Sequence, residues 1–178
     1  GENEDVEETQ AFLIRAFGVA LLLVTLVIVA QFNSILQTVV IMTSVILSVG
    51  GVILGLLICD MPFGILMTGI GCISLAGVVV NNGIVLLDFV NQLRAKGVPL
   101  EDAVIEAGII RFRPVMLTAT TNVLGLVPMA LGISFDFKNF HFTSGGETAE
   151  WWGPMATAVI FGMTYATVLT LVFVPTLY

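Results

Sequence analysis

Charge is what this sequence has least of. Six Lys and Arg and thirteen Asp and Glu stand among 178 residues, with one His and two Cys, and each shortage excludes something. A soluble chain covers its core with a surface that makes about a quarter of its residues charged. Here charged residues are 11% and hydrophobic ones 57%, so the bilayer is the main solvent. The net charge of −7 leaves no basic surface for nucleic acid or for an anionic membrane face. Cys59 and Cys72 have no metal-ligand spacing and are read as packing residues. His141 has no second ligand at metal spacing, so it is read as a surface residue and no metal site is expected. No nucleophile and base pair, metal cluster or phosphate-binding glycine loop is visible. The chain is therefore not read as an enzyme, and neither catalytic residues nor a cofactor are expected.

Long apolar sequence is abundant. Crossing a hydrocarbon core takes about 20 apolar residues at 1.5 Å rise each. Five stretches qualify, at about 11–30, 37–58, 64–90, 114–133 and 153–175. They lack the alternation of a β-barrel. The expected fold class is an all-α membrane protein, a bundle of five transmembrane helices. Pro114 is placed in the first turn of the fourth span. Residues 99–110, "PLEDAVIEAGII", read as a separate amphipathic helix lying on the membrane face. In that helix Ala103, Val104 and Ala107 turn towards the membrane, and Glu101, Asp102 and Glu106 towards water. Gly51 and Gly55, with Ser44 and Ser48, form a strip of small residues that predicts a close helical neighbour for the second span. The seven Met are scattered and are read as gap fillers.

Arg94, Lys96, Arg111 and Arg113 all fall in the connection between the third and fourth spans, which the positive-inside rule makes cytoplasmic. Residues 91–113 are then inside. The acidic lead-in 1–10 and the connection 134–152 are outside; the two remaining basic residues are Lys138 in that connection and Arg15 near the start of the first span. Trp151 and Trp152 suit an interfacial anchor. With an odd number of spans, no initiating Met and no leading signal, the chain is expected to be a piece of a larger protein, its lead-in coming from a domain not included.

Two features interrupt the apolar pattern. Asn81 and Asn82 sit inside the third span, rotated about 100° from one another. They are either interhelical hydrogen-bonding groups or part of a polar track for ions or protons. In the fourth span Thr118, Thr121, Asn122 and Gly125 share a helical face that leads inward from Arg111. Hydroxyl back-bonding to the helix and participation in a track account for it equally well. Asp88 follows Asn81 on nearly the same face, and is read as an interfacial acid pairing with Arg94 or Arg113 in preference to a relay member.

The segments "NNGIVLLDF" and "RFRPVMLT", with the ending "VFVPTLY", resemble the C-terminal transmembrane region of resistance-nodulation-division transporters, the hydrophobe/amphiphile exporters in particular. The resemblance covers all five spans, which correspond to the family's eighth to twelfth helices. It implies a proton-driven multidrug efflux pump, a proton antiporter of the bacterial inner membrane. Such a pump is a homotrimer of twelve-helix subunits in membrane lipid, joined to a periplasmic adaptor and an outer-membrane channel. It also implies that this piece is inactive without the rest of the transporter, which supplies a pair of aspartates on another helix. Carried over, Arg111 and Thr118 match an arginine and a threonine of the family's proton relay, and Asn81 stands where a lysine does. An amide can change hydrogen bonds but cannot re-pair a charge. The relay candidates are thus Asn81, Asn82, Arg111, Thr118 and Asp88. A lipid-handling or metal-exporting relative, or a helical assembly module that transports nothing, are the alternatives.

Overall fold

The structure, a computed structural model, describes residues 2–136, 141–144 and 147–177. It contains five long helices: α1 (Glu2–Phe32), α2 (Ile35–Ile58), α3 (Ile65–Ala95), α4 (Leu100–Ala130) and α5 (Glu147–Leu177). Two four-residue strands, β1 (Ile133–Asp136) and β2 (His141–Ser144), pair antiparallel between α4 and α5. This hairpin is the one departure from an all-α chain among the described residues, and Lys138 lies outside them.

Each of α1, α2, α3 and α5 is long and apolar enough to cross a membrane. The 31 residues of α4 include Pro114, Thr118, Thr120, Thr121, Asn122 and Pro128, which dilute its apolar half below that level. Sharp stops make the connections between α1, α2, α3 and α4 short. After α3, Gly97 adopts φ 89°, the Gly97 N–H donates to Arg94 O and the Val98 N–H to Leu93 O. That pair of bonds is a Schellman cap, which favours glycine because its left-handed backbone has no Cβ clash there. After α2 the same pattern uses Asp60 at φ 51°.

The core lies where α5 packs along α2, α3 and α4, while α1 sits at the edge, with Leu13 and Ile28 the buried ones among its described side chains. Close approach of α2 and α5 follows from the small-residue strip predicted above. A Cβ at Gly51 would stand 2.5 Å from Cβ of Tyr165, and one at Gly55 would overlap Phe161. Ser44 and Ser48 are buried on the same face of α2, each hydroxyl donating to its own helix, to Val40 O and Val45 O.

Two boundaries need correction. Residues 99–110 are not a separate surface helix: α4 runs without a break from Leu100 through Pro114 to Ala130. Proline removes one N–H and crowds the carbonyl four residues before it, here that of Ile110, whereas ending the helix would orphan several groups on each side. Ala103 and Ala107 are fully buried in the core cluster, and Val104 lines a small cavity with Leu86, Leu87 and Val90 of α3 and Val174 of α5. The apolar face of this segment therefore rests on protein, not on the membrane, while Glu101, Asp102 and Glu106 are exposed as expected. At its other end the fourth span stops at Ala130, since Gly132 turns the chain at φ 64° and β1 begins at Ile133.

Candidate functional site

The α3 and α4 helices are consecutive and antiparallel, and one contact fixes their relative depth. The Arg111 guanidinium carbon lies 4.7 Å from the centre of the Phe89 ring. Going along both helices away from the α3–α4 connection, Asn81 is eight residues from that contact on α3, about 12 Å, and Thr118 seven residues from it on α4, about 10 Å. The two therefore lie at matching depth, and both are exposed. On α3 the exposed stripe runs Ser74, Gly77, Asn81, with the next turns continuing through half-buried Asp88 to exposed Gln92. On α4 Thr118, Thr121, Asn122 and Gly125 are exposed, beside the equally exposed Thr120, Met116, Leu117 and Leu124. Polar side chains at this depth on an outward face are costly against lipid. That cost is removed when another protein element or water covers them.

The hydrogen bonds separate these residues further. Asn81 and Asn82 bond to no other side chain among the described residues; Asn81 is exposed and Asn82 half-buried. The Thr118 hydroxyl donates to Val115 O at 2.9 Å and to Pro114 O at 3.2 Å, and that of Thr121 to Leu117 O and Thr118 O. Thr25, Thr43, Thr164 and Thr167 bond to their own helices in the same way. Back-bonding is thus the ordinary state of a hydroxyl in this bundle and does not single out Thr118. Asn122 Nδ2 reaches Met163 Sδ of α5 at 3.7 Å, a weak contact.

The expected pairing of Asp88 with Arg94 or Arg113 is not made. Gln92 Nε2 donates to Asp88 Oδ2 at 2.7 Å, because a partner four residues on the same helix is in reach without bending the chain. Arg94 and Arg113 point to solvent from their own helices. Arg111 is half-buried with its Nε shut away from both solvent and any hydrogen-bond acceptor. Arg111 also lies well within its helix, since α4 begins eleven residues earlier at Leu100.

The structure adds a polar pair that the apolar pattern hides. Gln37 of α2, 8% exposed, and Asn91 of α3 exchange two bonds, Gln37 Nε2 to Asn91 Oδ1 at 3.0 Å and Asn91 Nδ2 to Gln37 Oε1 at 3.1 Å. Among the described residues no cluster of three or more His, Cys, Asp or Glu could hold a metal ion.

With this geometry in hand, comparison with known proteins is decisive at the family level. The model of the AcrB/AcrD/AcrF family matches residues 1–178. The chain belongs to that family. It is a membrane segment of a resistance-nodulation-division transporter, and its five-helix bundle is the one that family membership predicts. Cobalt-zinc-cadmium resistance protein CzcA of Cupriavidus metallidurans is 37% identical over 178 residues, all of this chain and 16% of that protein. Multidrug resistance protein MdtC of Erwinia amylovora is 28% identical over 176 residues, 98% of this chain and 16% of that protein. The crystal structure of a heavy metal efflux pump superposes over the whole chain with a TM-score of 0.82 at 30% identity, covering 17% of that pump. The chain thus spans about a sixth of the length of these relatives, and the preference for a drug exporter over a metal exporter is not sustained by them.

Proposed function

We propose that this chain is part of the membrane domain of a proton-driven exporter of metal cations. The observation that carries the reading is the exposed polar face of α3 and α4, with Asn81 and Thr118 at one depth. The higher identity to a cobalt-zinc-cadmium resistance protein than to a multidrug one supports metal over drug. In this reading the face docks on the helix that bears the paired aspartates. Like charges in a low dielectric favour uptake of a proton by one carboxyl of such a pair. When they are ionised, Asn81 and Thr118 donate to them; when one is protonated an acceptor is lost, and the helices shift. Asn82 and Asp88 flank this track, and Arg111 supplies fixed positive charge at its inner end. The assembly belongs in the bacterial inner membrane, as a homotrimer with a periplasmic adaptor and an outer-membrane channel.

The test uses the full-length transporter in metal-sensitive cells. Accumulation of zinc or cadmium should fall on expression, and should rise again with a protonophore or with Thr118→Ala. Accumulation indifferent to the protonophore overturns proton coupling. If expression lowers a hydrophobic dye and leaves metal unchanged, the drug-exporting reading replaces this one.

A further inference from the structure

We propose that Phe89 is a positioning residue for Arg111: its ring face fixes the guanidinium at the α3–α4 crossing. The proposal rests on the relay reading of Arg111 and names what holds that side chain in place. A guanidinium within about 6 Å of a ring centroid is attracted by the negative face of the ring, more so when partly desolvated. The 4.7 Å separation and the enclosed Nε meet both conditions.

No acid among the described residues holds Arg111 in an ion pair. Asp88, next to Phe89, accepts from Gln92 at one oxygen and makes no ion pair with Arg111. Glu106, on its own helix, is exposed. The ring itself is held, since Phe89 packs against the buried core cluster and sits six residues before the end of α3. A rigid ring on one helix and a cation on the next make a joint that keeps the charge in register with Asn81 and Thr118. A carboxylate in the same place would neutralise that charge. The ring positions it and leaves it in force.

The experiment is done on the full-length transporter, reconstituted in proteoliposomes with zinc as the transported probe. Phe89 is replaced by Tyr, by Leu and by trifluorinated phenylalanine, which withdraws electron density from the ring face with little change of shape. Phe89→Tyr is expected to transport like the wild type. The Leu and trifluoro variants should lose turnover by about two- to fivefold, the scale of one cation–π contact, with KM for zinc unchanged. A trifluoro variant as fast as the wild type overturns the proposal, and so does a loss that appears in KM instead of turnover. Arg111→Ala separates the two levels. If it abolishes transport while the fluorinated variant is unaffected, the positioning role fails and the relay stands. If Arg111→Ala transports normally, the relay reading itself fails and takes the role of Phe89 with it.

Discussion

Gln37 and Asn91 are 54 positions apart in sequence, and they exchange two amide hydrogen bonds across the α2–α3 contact. Inside a membrane-type bundle such a pair contributes about 0.6–1.7 kcal/mol, and replacing either side chain removes both of the bonds they exchange. Gln37→Leu is therefore expected to destabilise the bundle by about that amount, as measured by denaturant unfolding in mild detergent. Asn91→Leu should do the same, and the double variant should cost less than the sum of the two, which is the signature of direct coupling. Fully additive costs would mean that the two amides act independently. At this scale the sequence was legible in proportion to contrast. Asn81, Asn82, Thr118 and Asp88 stood out because polar groups are rare in apolar spans. Phe89 did not, since an aromatic residue in such a run looks like any core residue, and its partner Arg111 is 22 positions away on another helix. Gln37 and Asn91 lay at the edges of predicted spans, where a polar side chain calls for no special account.

A close helical neighbour for α2 is readable from Gly51 and Gly55, because spacing by four puts small residues on one helical face and opens room for another helix. What could not be read was that the neighbour is α5, almost a hundred residues later, since small residues specify closeness and not identity. Helix boundaries were less legible where local rules met tertiary packing. The usual preference of proline puts Pro114 in a first turn, yet Ala103 and Ala107, fully buried in the core cluster, anchor the preceding segment and the helix runs on through the proline. The element scale also gives a quantitative expectation. Gly55→Leu places side-chain atoms where Phe161 stands, and overpacking of this kind costs about 1–3 kcal/mol. Thermal unfolding of the detergent-solubilised transporter should show the loss, and adding Phe161→Ala should recover part of it by vacating the volume. No recovery would place the strain elsewhere than at the α2–α5 contact.

For the whole molecule, orientation follows from the asymmetry of basic residues, four of the six Lys and Arg falling between Arg94 and Arg113. The fold converts that asymmetry into a distance. Cys59 follows the end of α2, Lys96 follows the end of α3, and both are exposed. The 31 residues of α3 between those connections span about 46 Å at 1.5 Å per residue, more than the roughly 30 Å of hydrocarbon. If the positive-inside rule governs this chain, the two positions face opposite compartments. In an otherwise cysteine-free full-length transporter in spheroplasts, a membrane-impermeant maleimide should label Cys59 without lysis, and should label Lys96→Cys only after the membrane is opened. The reverse order would invert the bundle. It would place the Phe89–Arg111 joint near the outer surface and turn the proposed proton path end for end. Labelling of both positions without lysis would mean that α3 does not cross the membrane at all, because a spanning helix cannot present both of its ends to one side.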